Sequence, residues 1–361
     1  MKKSILFIFL LVFVQQILAQ KRAENIIVIT TDGFRWQELF GGVDTALANH
    51  HAFNEGAQEY IHDKFGDTNP LESRKKLLPF IWSNFAEKGQ IFGNRHFENK
   101  VNVSNPYFFS YPGYSEIFCG FADTLINSNG YKPNPNPNVL EFMNRQPGYK
   151  NKVAAFSAWE AMGRILNKER SGMTVISAFE NTGGGNPTDI EKQINSMRNH
   201  SFKPWGMAEC LDVFTHYAAV EHFKVRKPKV MYIAYGETDE WAHAGMYKSY
   251  LDAAHQFDEW VSDLWTLVQS TKGYQDNTVF FITTDHGRGD LVKHQWKDHG
   301  SSIIGADEIW FLAMGPGVSP KGEIKQPMQL YQKQFAQTIA AFIGLNFLGE
   351  NVSEKVAGLF R

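Results

Sequence analysis

Hydrophobic residues gather in four short, nearly uninterrupted blocks, Asn25–Thr30, Lys229–Tyr235, Thr278–Thr283 and Glu308–Ala313. Each is rich in β-branched or aromatic residues and about six residues long, as expected of a strand covered on both faces. Elsewhere the spacing changes. Between Tyr250 and Val268, residues Leu251, Ala254, Phe257, Val261, Leu264 and Leu267 recur close to a helical period, and Phe335, Ile339 and Phe342 do so between Gln332 and Ile343. Strands alternating with helices predict a three-layer α/β domain, a mainly parallel sheet with helices on both faces. Alternating prolines at 132–138 and the Thr182-Gly183-Gly184-Gly185-Asn186-Pro187 run read as loops rather than domain linkers.

The first twenty residues differ in kind. Lys2 and Lys3 precede an apolar run from Ile5 to Val14, and Ala19 offers a small residue for cleavage. The run is shorter than the roughly 20 residues a spanning helix needs, so 1–20 is expected to be an export signal. Ile17 departs from the usual small residue, and an uncleaved N-terminal anchor is the alternative. Residues 21–361 are then expected to form one domain, soluble and periplasmic or secreted. Export makes a Cys119–Cys210 disulfide possible, but neither cysteine has metal-ligand spacing and ordinary buried thiols serve equally.

Composition changes this picture little. Of 361 residues, 36 are Lys or Arg and 38 are Asp or Glu, which leaves no electrostatic footprint for nucleic acid or an anionic membrane.

The chemistry collects at strand ends. The first strand runs into Asp32-Gly33, the second into Asp239 with His243 four residues on, and the third into Asp285-His286-Gly287. Any one aspartate could be a turn or cap residue. Three at the carboxyl edge of a parallel sheet would converge on the binding crevice, where they need a cation. Mixed Asp/His ligation without clustered Cys suits zinc, with manganese or iron as rivals. Asp239 and His243 share a face if a helical turn begins there. His299, followed by Gly300, is the preferred further imidazole, and His294 competes for the role. Ser110 lies just ahead of Pro112-Gly113, where a helix can begin, and its hydroxyl would serve as a cap or as a nucleophile. Ser115 falls inside that helix.

In order and type these pieces (Thr31-Asp32-Gly33-Phe34-Arg35, Ser110-Tyr111-Pro112-Gly113, Asp239-x-x-x-His243, Thr284-Asp285-His286-Gly287 and His299-Gly300) resemble the alkaline phosphatase superfamily. They are most similar to its nucleotide pyrophosphatase/phosphodiesterase and single-domain phosphatase branches. The resemblance implies an alkaline phosphatase-like metallohydrolase fold and two divalent ions, usually Zn2+. Asp32, Ser110, Asp285 and His286 would hold one ion, and Asp239, His243 and His299 the other. It implies phosphate-ester hydrolysis through a phospho-serine at Ser110, with Asn129, or alternatively Asn127, touching a phosphate oxygen. The substrate would be a small phosphate ester. Ser110-Tyr111-Pro112-Gly113-Tyr114 lacks the arginine of the sulfatase motif. Monoester and diester remain open: a nearby Arg164, Lys168 or Arg170 would select a monoester. An exported metal-containing binding protein without turnover is the alternative from another class.

Overall fold

The computed structural model describes residues 22–360, so the proposed export segment lies outside the described residues. Eleven strands are present among them: β1 Asn25–Thr31, β2 Gly89–Phe92, β3 Asn99–Asn102, β4 Val153–Ser157, β5 Thr174–Ser177, β6 Val230–Tyr235, β7 Thr278–Thr283, β8 Glu308–Ile309, β9 Phe311–Met314, β10 Gly322–Glu323 and β11 Met328–Tyr331. Eight form the central sheet, in the order β10-β2-β9-β7-β1-β6-β4-β5, and β11-β3-β8 form a small second sheet. The helices that matter for the site are α1 Ser110–Cys119, α2 Asp212–Arg226, α3 Glu237–His243, α4 Tyr247–Gln269 and α5 Phe335–Phe342.

Alternation along the buried strands explains the layers. Ile26 and Val28 of β1, Tyr232 of β6 and Phe281 of β7 face a core closed by Tyr111 and Ile117 of α1 and Phe335 and Ile339 of α5. Their neighbours Ile27, Ile29, Ile233 and Ile282 face the opposite core, closed by Phe223 of α2 and by Leu251, Phe257, Val261 and Leu264 of α4. Both faces are thus apolar, as parallel strands under helices on each side require. The three-layer α/β architecture expected from the sequence is the one observed.

The fourth expected strand is the exception. Glu308–Ala313 does not run as one strand: β8 pairs with β3 in the small sheet, while β9 lies antiparallel between β7 and β2. The break falls at Trp310, whose fully buried indole donates to the Phe34 carbonyl at 2.8 Å while its own carbonyl accepts from Thr283 Oγ1 at 2.6 Å. A residue anchored sideways at both ends lets the two halves enter different sheets. The C-terminal helix is also shorter than its period suggests, with a tight turn over Gln332–Gln334 preceding α5.

β7, β1 and β6 are adjacent and parallel, with Thr30 opposite Thr283 and Thr31 opposite Tyr235. Neighbouring strands lie about 4.8 Å apart. The residues that leave their carboxyl ends therefore emerge side by side.

Candidate metal centre

Asp32 follows β1, and Asp285 and His286 follow β7. Their ligand atoms lie within 4.8 Å of one another, and all three residues are buried. His286 Nε2 is 3.3 Å from Asp32 Oδ1 and 3.5 Å from Asp285 Oδ2. The other oxygens are already used: Asp32 Oδ2 accepts from the Tyr114 hydroxyl at 2.9 Å, and Asp285 Oδ1 accepts from the Gly33 amide at 3.1 Å. The remaining pair, Asp32 Oδ1 and Asp285 Oδ2, are buried without a hydrogen-bond partner. His286 Nδ1 sits 2.9 Å from the Gly287 carbonyl, which requires its proton there and leaves the Nε2 lone pair facing the carboxylates.

A second group lies beside the first and is more open. Asp239 and His243 occupy one face of α3, with Asp239 Oδ2 3.1 Å from His243 Nε2. His299 arrives on a loop, its Nε2 3.0 Å from His243 Nε2 and 3.9 Å from Asp239 Oδ1. Its Nδ1 donates to the Phe108 carbonyl at 3.2 Å, and its ring stacks on His286 with centroids 3.9 Å apart. Of the three, His243 is exposed.

Electrostatics divide the carboxylates. Burial, then the charges of Asp285 and Asp239, push Asp32 well above the usual carboxylate range. Burial, then Asp239, push Asp285 up to about 7. Burial would raise Asp239 as well, but Arg288, His243 and His299 outweigh it and hold Asp239 well below its ordinary value. Burial, then His286, lowers His299 strongly. Arg288 is itself buried, paired to Asp239 Oδ1, and its Nε donates to the Gly33 carbonyl at 3.1 Å. Orphaned buried oxygens, a fixed Nε2 lone pair and two facing imidazole nitrogens form two donor sets suited to divalent cations, and their mixed O/N chemistry fits zinc.

Two glycines permit this closeness. Gly33 has φ +56°, and a Cβ there would lie 2.6 Å from Asp239 Oδ1. A Cβ on Gly113 of α1 would lie 2.5 Å from the Asp285 carbonyl oxygen, so the helix carrying Ser110 rests directly on the loop of Asp285 and His286.

Ser110 is the first residue of α1 rather than a residue ahead of it. Phe109 holds the cap position, and no side chain of that residue caps the helix. The acceptor comes from elsewhere: Asn129 Oδ1 takes the Tyr111 amide at 2.9 Å. With that amide served from a distant loop, the buried Ser110 hydroxyl is free of capping and lies 3.4 Å from His286 Nε2. Asn129 is thereby brought to the helix of Ser110; both it and Asn127 are exposed. Ser115 is turned away, accepting from Asn134 Nδ2 at 2.9 Å. His294 is exposed in the turn Lys293–Lys297, outside the cluster that His299 joins. Cys119 and Cys210 are buried free thiols, so the disulfide alternative does not describe this structure.

Several participants were not singled out from the sequence. Glu116, fully buried in α1, accepts from the Ser104 and Asn105 amides and from Asn105 Nδ2. Asn105 Oδ1 in turn accepts from the Tyr107 and Phe108 amides at 3.0 and 3.2 Å. This clamp holds Phe108 at φ +54°, a conformation rare for a bulky residue, with its carbonyl toward His299. Glu209 is buried beside Asp32 and Asp239 with Oε1 unpaired, and Gly236 has room for no Cβ against it. None of these carries a local motif; only the distant pairing makes them visible.

The family model described as "Metalloenzyme superfamily" matches residues 133–347, more than half of the chain, including Asp239, His243, Asp285, His286 and His299. No curated protein matches the chain in sequence. Among solved structures, the alkaline phosphatase PafA is 10% identical with a TM-score of 0.60, the match covering 94% of this chain and 99% of that one. The phosphonate monoester hydrolase SpPMH from Silicibacter pomeroyi is 14% identical (TM-score 0.57; 92% and 75% covered), and a 2-O GAG sulfatase is 13% identical (TM-score 0.55; 93% and 73% covered). At these identities the likeness is one of fold. Together with the family match, it establishes that the chain belongs to the metalloenzyme superfamily of alkaline phosphatase-like proteins.

Proposed function

We propose that the chain is an exported metal-dependent hydrolase that cleaves phosphate esters through Ser110, with residues 1–20 as its export signal and 21–361 as one metallohydrolase domain. The observation that carries this reading is the Ser110 hydroxyl, buried, uncapped and 3.4 Å from His286 Nε2 at the edge of two adjoining ligand groups. A binding protein has no use for a hydroxyl released from capping at that point.

Asp32, Asp285 and His286, with Ser110, would hold one divalent ion, and Asp239, His243 and His299 the other; zinc fits both sets. Ions bound there lower the pKa of a neighbouring hydroxyl and neutralise charge on ester oxygens. The chain's own groups do the rest. Tyr114 orients Asp32, Gly33 orients Asp285, and the Phe108 carbonyl orients His299. Asn129, its Oδ1 committed to Tyr111, keeps Nδ2 to donate to a non-bridging ester oxygen. The positive end of α1 faces the same oxygens. The Ser110 Oγ–P bond forms as the P–O bond to the leaving group breaks; the serine proton passes to solvent and the departing oxygen takes one from water. Attack by water then cleaves the Oγ–P bond and returns a proton to Oγ.

The experiment is hydrolysis of a chromogenic phosphate ester by the purified mature protein, before and after chelation and after zinc restoration. Turnover removed by chelation and restored by zinc supports the reading. No turnover of monoester, diester or sulfate ester, in protein carrying two metals per chain, refutes it in favour of a binding role. Among the described residues, no helix is long and apolar enough to cross a membrane.

A further inference from the structure

Three cations between Ser110 and Asp239 were natural selectors of a doubly charged monoester, and the structure commits each of them elsewhere. Lys168 pairs with Glu180 at 2.9 Å. Arg170 pairs with Glu141 at 2.9 Å and donates to the carbonyls of Asn134, Pro135 and Asn136. Arg164 is the one linked to the helix of Ser110: its Nη2 donates to the backbone carbonyl of Asn129 at 3.2 Å, and the Asn129 side chain caps that helix. Its guanidinium is nevertheless spent: Nε donates to the Tyr131 carbonyl at 3.1 Å, while Nη1 and Nη2 meet Glu160 Oε2 and Oε1 at 2.6 and 3.1 Å. A fork-on-fork pair of this kind holds the arginine in one place and cancels its charge.

The charge around the site makes that cancellation matter. Asp32, Asp239 and Asp285 bring three negative charges, and among the described residues Arg288 is the one arginine or lysine ion-paired to them. Two divalent ions and Arg288 against three carboxylates and a Ser110 alkoxide leave one positive charge. A singly charged ester neutralises it; a dianionic monoester overshoots by one. Any charge on Glu209 or Glu240, which lie against the same group, adds to the overshoot. Doubly charged substrate therefore needs one more cation, and Arg164, bonded to Asn129, is placed to be that cation once released from Glu160.

We propose that the Glu160–Arg164 pair sets this site for a phosphodiester over a phosphate monoester by keeping Arg164 neutralised beside Asn129. The inference rests on the hydrolase reading above and names its substrate class. Water adds across one P–O bond of the diester, releasing an alcohol and leaving a monoester that the same charge balance expels.

The test compares bis(4-nitrophenyl) phosphate, 4-nitrophenyl phosphate and 4-nitrophenyl sulfate on the zinc-loaded mature protein. The diester should exceed the monoester in kcat/KM by about tenfold or more, the scale of one charge-assisted contact discounted for partial exposure. Glu160→Gln should move the diester-to-monoester ratio about tenfold toward the monoester, and adding Arg164→Gln should cancel that movement. Calorimetric binding of both phosphate esters to the Ser110→Ala protein, which lacks the alkoxide and its charge, and to its Glu160→Gln derivative reads without turnover the movement of the ratio that Glu160→Gln causes. Circular dichroism and metal content verify that each variant is folded and loaded. A wild-type preference for the monoester, or an unchanged ratio in folded Glu160→Gln protein, overturns the proposal while leaving phosphate-ester hydrolysis standing. A sulfate ester turned over faster than the diester overturns the choice of phosphodiester among singly charged esters. Absence of all turnover refutes the hydrolase reading, and the shift of the binding ratio on Glu160→Gln then decides the role of Arg164 alone.

Discussion

Removing the ions from this site should leave Asp32 and Asp285 contributing a stability that falls as pH rises, opposite in sign to the contribution of the buried His216, His222 and His299, whose values burial lowers. Asp285 is fully buried, and its carboxyl is pushed up from an ordinary 3.8 to about 7, first by burial and then by the charge of Asp239. Below about pH 4 the group is protonated in both folded and unfolded chains, so it contributes nothing to the difference. Between the two values the folded state holds a proton that the unfolded state has lost, and stability declines with each step upward. Above 7 both are ionised and the full penalty applies. At about 1.4 kcal/mol for each pH unit, the penalty from Asp285 is about 4 kcal/mol. Asp32, raised in the same sense by burial and by Asp285, adds to the decline. Zinc binding replaces the missing positive charge and should abolish the share of the slope that Asp32 and Asp285 carry, leaving that of Asp258, raised to about 7 by burial away from the site. The assay is urea denaturation of chelated and zinc-loaded protein at pH 5 and pH 8. From pH 5 to pH 8 chelated protein should lose stability relative to zinc-loaded protein, by about 3 kcal/mol from Asp285 alone, and Asp285→Asn should remove about that much of the loss in the chelated state only. The same slope in chelated and zinc-loaded wild type, or no recovery in Asp285→Asn, would refute the electrostatic account of this site.

Other predictions follow from contacts already described. Ser110→Ala should lower turnover by at least about a thousandfold while elemental analysis still finds two metals per chain; near-normal activity sinks the nucleophile assignment. Asn105→Ala frees the Tyr107 and Phe108 amides and with them the carbonyl that orients His299. It should weaken one ion of the two by about 10–100-fold in chelator competition, and equal retention of both would argue against the clamp. Gly113→Ala drives a methyl into the Asp285 carbonyl at 2.5 Å and should cost about 1–3 kcal/mol of stability together with metal affinity. The two thiols, whose burial pushes Cys119 up to about 12 and Cys210 up to about 11, should resist alkylation in the native protein. Both should react on unfolding without reductant, and a denatured chain with no reactive thiol would mean a disulfide.

Local patterns determined a good deal about this protein. The apolar runs at β1, β6 and β7 and the period of α4 are set by burial on two faces or one, which residue spacing records directly. The aspartates that end those strands, and the His243 spacing within α3, were legible for the same reason: they sit next to strong local signals. β4 and β5 were not, being short and in part built of small residues that carry little periodic contrast. Whether Glu308–Ala313 is one strand or two depended on what Trp310 reaches across the fold. The same holds at the site. Ser110 reads as a cap from its own segment, and only the arrival of Asn129 shows that capping is done by another residue. Arg288 and the Asn105–Glu116 clamp have no sequence signature, and the i,i+4 spacing of Glu160 and Arg164 does not tell that the pair stands beside Asn129, because a charge acquires its meaning from whichever partner folding places beside it. Periodicity and strand-end motifs are properties of neighbours in the chain; charge balance, orientation and access are properties of neighbours in space, and these the tertiary structure alone decided.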